Sequence, residues 1–263
     1  MERQFYDQMG NCVTLNRTPE RVVSLVPSQT ELLYYLGTPP IGQTIFCIHP
    51  GQAFSEATKI GGTKKLNLDK IRALKPDLII GNKEENERSQ IEALSAEFPV
   101  WMSDINTIQD GLDMITRVGA LLGKSNESIQ LKLGIQSAFN RLIATKGRMQ
   151  RVLYLIWRDP YFGVGSQTFV HDVLQHWGVE NVLANQPRYP ELSREDMIDL
   201  NPDVVLLSSE PFPFKEKHRN EILDFLPNAT TILVDGELFS WYGNRMLDTP
   251  GYLEELTRRY FTS

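Results

Sequence analysis

The chain has 263 residues, 41% of them hydrophobic and 23% charged, which is enough apolar material for two domains that each bury a core. Its 27 basic and 33 acidic residues leave a net charge of −6 with no basic run, which argues against nucleic acid as a partner. No apolar run reaches the length of a membrane span, so no insertion into a membrane is expected. The first predicted element is a hairpin over Phe5 to Leu15, broken by Gly10-Asn11. Val22 to Val26 is nearly continuous apolar sequence, as a strand covered on both faces requires. Ser28-Gln-Thr-Glu31 has the pattern of a capping box and launches a helix through Leu36. Ile41 to Ile48 predicts a second strand running into a loop at His49-Pro50-Gly51, followed by a Gly-Gly loop over Lys59 to Lys65. A strand at Leu78 to Ile80, a helix over Glu84 to Glu97, a strand at Val100 to Ser103 and a helix over Ile108 to Leu122 complete the first half.

From Ser125 to Gly147 a proline-free helical pattern follows, with Glu127 in its first turn and Lys146 before a C′ glycine. A helix of some 20 residues spans about 30 Å and ties two lobes together rigidly. Beyond it, strands near Val152 to Ile156, Val204 to Leu207 and Thr231 to Val234 precede a last helix from Pro250 to Tyr260. The two halves repeat one another. Arg21-Val-Val-Ser-Leu-Val26 before Ser28-Gln-Thr30 is answered by Arg151-Val-Leu-Tyr-Leu-Ile156 before Ser166-Gln-Thr168. Leu68 to Ile80 is likewise answered by Arg194 to Leu206, with Pro76 and Pro202, Asp77 and Asp203, and Asp69 and Glu195 at matching places. The expected fold is α/β, with two lobes of mainly parallel sheet flanked by helices. The N-terminal lobe covers residues 1–122, the connecting helix 123–148 and the C-terminal lobe 149–263.

In open parallel sheets ligands sit beyond the carboxyl ends of the strands, and aromatic residues concentrate there. Phe46-Cys-Ile-His49, Asn82, Trp157 through Phe162, and Phe239-Ser-Trp241-Tyr242-Gly-Asn-Arg245 all follow predicted strands. Rings on both sides of a cleft suit a large, flat, partly apolar ligand, and Arg245 offers a fixed positive charge for its carboxylate or phosphate groups. Cys47 and His49 are alternate residues of a segment read as extended, so both could reach one metal, although the other two ligands of a structural zinc site are not found by spacing. Cys12 and Cys47 form no disulfide framework; a single bridge between them stays open, and free thiols are expected in a reducing compartment.

Arg21-Val-Val-Ser-Leu-Val-Pro-Ser-Gln-Thr-Glu-Leu32, the Lys-Pro-Asp-Leu-Ile-Ile80 strand, Leu192-Ser-Arg-Glu195 and the long middle helix together resemble the helical-backbone solute-binding proteins of iron-complex and vitamin B12 ABC importers. The resemblance implies two lobes of the class III periplasmic-binding type, no catalytic residues and no catalytic cofactor. It also implies capture of cobalamin, haem or a ferric siderophore between the lobes by a monomer, for delivery to a permease. Asp69 and Glu195 fall where the family places one carboxylate per lobe to pair with transporter arginines. Phe46, His49 and Phe162 match cleft aromatics of the cobalamin-binding members, while Thr63 and Asn82 stand where those members carry tryptophans. Two other readings stay open. Met1-Glu-Arg-Gln-Phe-Tyr-Asp7 does not read as a secretory signal and Cys12 lacks a preceding apolar stretch, so unless a leader was trimmed the protein is a cytoplasmic carrier of a corrinoid, metal complex or metal ion. An enzyme is the rival class, but Gly163-Val-Gly165-Ser-Gln-Thr168 lacks the third glycine of a dinucleotide loop, and no Gly-x-Ser-x-Gly elbow is present.

Overall fold

The computed structural model of the protein describes residues 2–51, 56–142 and 149–261. They divide into two units, the first comprising Met1–Ile105, Gln109–Gln136 and Tyr242–Arg245, the second Asn106–Ile108, Ser137–Trp241 and Met246–Ser263. In the first unit β1 (Arg3–Tyr6) and β2 (Cys12–Leu15) pair antiparallel as the predicted hairpin. The turn is held by Asp7, whose buried carboxylate accepts from the backbone N–H of Met9 (2.9 Å) and Asn11 (2.7 Å). There follow β3 (Val22–Ser24), α1 (Pro27–Tyr35), β4 (Gly42–Gln43), β5 (Thr58–Lys59), α2 (Leu68–Leu74), β6 (Leu78–Asn82), α3 (Arg88–Ser95) and β7 (Val100–Ser103). The strands form one parallel sheet in the order β5-β4-β3-β6-β7. Every residue of β3, β6 and β7 is buried, which is why these segments read as apolar runs rather than alternating ones, with a polar residue only at each carboxyl end.

The start of α1 differs from expectation. Val26 is the N-cap, Pro27 occupies the first turn and no side chain caps the helix, so Ser28 and Glu31 do not form a capping box. Proline needs no hydrogen-bonded N–H at that position, and its fixed φ suits the first turn. Glu31 is thereby free for another partner, described below.

Helix α4 (Ile108–Leu121) turns at Gly123 into α5 (Ser125–Arg141). At 17 residues α5 is about 25 Å long. Leu142 is no longer helical, and the last turn expected at Lys146 and Gly147 lies outside the described residues. Ser128, Leu131 and Ile135 form its buried side, whereas Ile129 and Leu133 are exposed. A Cβ on Gly119 would stand 2.1 Å from Ser128 Oγ, so the glycine lets α4 and α5 approach backbone to side chain.

The second unit contains β8 (Arg151–Trp157), β9 (Tyr161–Gly163), α6 (Phe169–Trp177), β10 (Glu180–Asn181), β11 (Glu191–Leu192), α7 (Arg194–Leu200), β12 (Val204–Ser208), α8 (Glu216–Phe225), β13 (Thr230–Val234), α9 (Glu237–Ser240) and α10 (Thr249–Tyr260). Its sheet runs β11-β9-β8-β12-β13, with β10 also against β8. Strands β8, β10, β12 and β13 are parallel, while β9 folds back on β8 and β11 on β9 antiparallel. Residues 157–162 are therefore a hairpin rather than an open loop after a strand. Leu153, Leu155, Leu183, Met197, Val205, Leu207 and Ile222 are at the centre of the core on one side of this sheet.

The internal repeat has a physical basis. Helices α2 and α7 are both seven residues long and end in left-handed C-caps, Lys75 (φ 46°) and Asn201 (φ 43°). Each is followed by the Pro-Asp pair and a strand of five buried residues. Arg21 N–H donates to Asp77 Oδ1 at 2.8 Å and its carbonyl accepts from Asp77 N–H at 3.1 Å. Arg151 and Asp203 make the same reciprocal pair at 2.9 and 2.8 Å. The two guanidinium groups donate to carbonyls at the helix ends, Arg21 to Leu74 at 2.6 Å and Arg151 to Asn201 at 2.9 Å. Arginine suits these positions because the last carbonyls of a helix lack backbone partners.

Lysine pays a steric cost in the left-handed region that glycine avoids and asparagine partly avoids. Lys75→Gly is expected to stabilise the protein by about 1 kcal/mol and Asn201→Gly by less, read from the shift in urea unfolding midpoint.

Candidate functional site

The predicted site residues divide between the units. Phe46, Cys47, His49, Asn82, Tyr242 and Arg245 belong to the first, and Trp157, Phe162 and Trp241 to the second. In the first unit the expected strand over Ile41 to Ile48 stops at Gln43. The chain turns there because Ile45 N–H pairs with Gly61 O at 2.9 Å and Cys47 N–H returns to Thr44 O at 3.3 Å. The alternation that set Cys47 and His49 on one side is thus absent. Cys47 is 1% exposed, and its Sγ lies 3.1 Å from both Thr30 Oγ1 and Thr44 Oγ1. Burial pushes its thiol above the ordinary value, against the hydrogen bonds from the two threonines. His49 is half-buried. Among the described residues no group of three or more His, Cys, Asp or Glu side chains could hold a metal ion. Phe46, in contrast, is 54% exposed, flanked by exposed Ile45 and Ile48.

Asn82, at the carboxyl end of β6, is buried rather than open. Its Nδ2 donates to Ser103 Oγ at 3.0 Å, and its Oδ1 accepts from the N–H groups of Glu84 and Glu85 at 2.8 and 3.0 Å. Gln29 reaches the same serine, donating to Ser103 Oγ at 2.5 Å and to Gly81 O at 3.2 Å. Tyr242 is buried in this unit, where desolvation raises its phenol well above the ordinary value while Ser28 and Ser103 beside it hold the shift back. Arg245 forms a two-pronged ion pair with Glu31, Nε to Oε2 at 3.0 Å and Nη2 to Oε1 at 2.8 Å. Its charge is thus already balanced by a carboxylate 214 positions away, which no spacing rule could reveal.

In the second unit Trp157 and Phe162 are partners in the β8–β9 hairpin. Trp157 is 41% exposed, and its ring meets Phe212 edge to face at 5.8 Å. Phe212 in turn packs on Phe214 and on His218. Phe212 sits in no periodic segment, so no local sequence pattern marks it as the partner of Trp157. Arg158 beside Trp157 is held by Glu221, which also takes Tyr161 Oη at 2.9 Å and Arg194 at 3.3 Å. Trp241, expected to line a ligand site, is buried: its indole N–H donates to Glu210 Oε1 at 2.9 Å, and Ser240 Oγ donates to the same oxygen at 2.6 Å. Desolvation, helped by the nearby Glu237 and Asp235, raises the Glu210 carboxyl above its usual range, while the donors from Ser240 and Trp241 oppose the rise.

Against known proteins, the profile of the family described as periplasmic binding protein matches residues 22–230. The chain belongs to the periplasmic binding protein family. One relative, the vitamin B12-binding protein of Salmonella typhimurium, is 29% identical over 195 residues, covering 72% of this chain and 73% of its own length. A Bacillus subtilis relative, described as an uncharacterized ABC transporter substrate-binding lipoprotein, is 24% identical over 214 residues, 76% of this chain and 67% of that protein. Among solved structures, a periplasmic heme-binding protein from Pseudomonas aeruginosa superposes with a TM-score of 0.81 at 22% identity, covering 93% of this chain and 94% of the other. At that identity the likeness establishes the α/β periplasmic-binding fold, which agrees with the sheets described above. Members of this family are binding proteins, and no helix among the described residues is long and apolar enough to cross a membrane.

Two carboxylates of this periplasmic binding protein lie at the starts of short helices. Asp69 and Glu195 are each the second residue of their helices, α2 and α7, and both are exposed. Asn67 caps α2 through the N–H of Lys70, and Ser193 caps α7 in a capping box with Asp196. Asp69 lies 3.2 Å from Arg72, whose guanidinium is also bound by Glu97 at 2.7 Å.

Two outcomes follow from these environments. Cys47, neutral at pH 8 and buried, is expected to react with Ellman's reagent only after unfolding, so one thiol titrates in the native protein and two in guanidinium. A carboxyl whose folded pKa is raised binds its proton more tightly in the folded state, so stability falls as pH rises through the unfolded value toward the folded one. Glu210→Gln keeps an acceptor for Ser240 and Trp241 without the charge. The variant should therefore unfold at higher urea than wild type at pH 7, with the gap closing toward pH 4.

Proposed function

We propose that this periplasmic binding protein captures a metal chelate, a corrinoid, haem or ferric siderophore, and hands it unchanged to the permease of an ABC importer. The observation that carries the reading is the 29% identity to a vitamin B12-binding protein across 72% of the chain. The side chains agree with it. Phe46 with its isoleucine neighbours, and Trp157 on its Phe212 support, are aromatic surface at the ends of sheet strands, the kind of surface that a macrocycle covers. His49 and Phe162, both half-buried, are further contacts, each within its own unit, while Asn82, Trp241 and Tyr242 are buried and Arg245 is paired with Glu31. The protein performs no catalysis. Its metal arrives already chelated, and Cys47 serves the fold rather than ligation.

Asp69 and Glu195 are the docking carboxylates for arginines of the permease. Both sit in first turns of helices, where a negative charge is favoured, and on seven-residue helices that the repeat places in equivalent positions. The lipoprotein relative and the family name favour action on the outer side of the cytoplasmic membrane.

Trp157 provides the readout, since of the four tryptophans it alone is substantially exposed, at 41% against 0% for Trp101 and Trp177 and 8% for Trp241. Titration with cyanocobalamin, haemin and a ferric hydroxamate should show one of them binding at micromolar concentration or tighter, with tryptophan quenching that Trp157→Phe largely removes. Binding of none of the three would overturn the reading. Glu195→Ala and Asp69→Ala should leave that affinity unchanged and lower uptake through the permease.

A further inference from the structure

Phe46 is an exposed aromatic ring in a segment that is firmly tied down. Ile45 N–H donates to Gly61 O at 2.9 Å, Ile48 N–H to Phe46 O at 2.9 Å, and Gln43 Nε2 to Cys47 O at 3.1 Å. The Cys47 side chain is sunk between Thr30 and Thr44 as an anchor. Around that anchor Ile45, Phe46 and Ile48 are 49%, 54% and 47% exposed, so three large apolar groups are held in water by a short rigid turn. Large apolar groups rarely cluster in solvent without a partner.

The Gly-Gly loop supplies the second observation. Gly61 is a glycine for backbone reasons, with φ +102° and Lys65 O only 2.5 Å from where a Cβ would stand. Gly62 has no such need, since its φ is outside the left-handed region. What a Cβ at Gly62 would meet is the Phe46 ring, whose Cε2, Cζ and Cδ2 lie 3.1, 3.8 and 3.9 Å away and are the nearest atoms. A methyl at 3.1 Å displaces the ring by a few tenths of an ångström or tilts it. The missing side chain is a seat for an aromatic group that the core does not use.

We infer that Gly62 is a positioning residue that fixes the Phe46 ring, and that Ile45, Phe46 and Ile48 form a preorganised platform for an extended apolar face of the ligand. The inference rests on the proposed chelate capture and deepens it by naming the residue that holds the Phe46 contact in place. Seating the ring before binding spares the entropy of ordering it in the complex.

The test is a double-mutant cycle of wild type, Gly62→Ala, Phe46→Ala and the pair, titrated with cyanocobalamin and haemin, with thermal unfolding run in parallel. Phe46→Ala is expected to weaken binding roughly tenfold or more and Gly62→Ala about three- to tenfold. In the Phe46→Ala background Gly62→Ala should change nothing further, and the melting temperature of Gly62→Ala should match wild type. An effect of Gly62→Ala that is equal in both backgrounds, or absent in both, overturns the inference. Should neither chelate bind the wild type, chelate capture by these probes fails instead, and the cycle is read with the apolar dye 8-anilinonaphthalene sulfonate. Dye fluorescence that falls with Phe46→Ala, and with Gly62→Ala only while Phe46 is present, supports the platform; fluorescence equal in all four proteins overturns it.

Discussion

Each unit depends on one carboxylate at the point where a helix gives way to the central strands. Asp77 and Asp203 exchange backbone and side-chain hydrogen bonds with the arginine that opens the first core strand, and that arginine closes the end of the preceding helix. Strand start, helix end and the register between β3 and β6, or β8 and β12, are thus settled by one small lattice of bonds. A one-residue slip in such a sheet would move every side chain to the opposite face of its strand. Because all residues of β6 and β12 are buried, neither strand has a polar face to declare its register, and the Asp-Arg exchange does so instead.

The same reciprocity recurs with opposite consequences at the ends of other elements. Glu31, released from capping by Pro27, takes Arg245 and brings residues Tyr242–Arg245 into the first unit. Glu210 holds Trp241 by its indole N–H. Trp241 and Tyr242 are buried and Arg245 is paired, so of the aromatic residues expected at the site only Phe46 and Trp157 are exposed. Burial and exposure divide these rings into two groups, one packed inside the protein and one facing solvent.

Sequence reasoning went furthest where the physics was local. Strand β7 and the hairpin were legible because alternation, continuous apolar runs and Gly-Asn turns operate over a few residues. The paired seven-residue helices were legible because duplication doubles each signal. Reading failed at the segment after Gln43, where β branching and apolar content suggested a long strand while a bond from Ile45 to Gly61 ended it early. It also missed β9, since a hairpin within 157–162 and an open loop there have the same composition.

By itself the sequence determined the class of fold, the order of the main strands and the repeat, since each follows from periodicity and from proline and glycine chemistry within short windows. It also marked the stretches after the strands as the places to look. Only the tertiary structure decided which aromatic groups there stay in solvent and whether Arg245 keeps an unbalanced charge. Trp157 and Trp241 are chemically identical as letters. What separates them is a glutamate 31 positions from Trp241 and a phenylalanine beside Trp157, contacts created by folding and written in no local pattern.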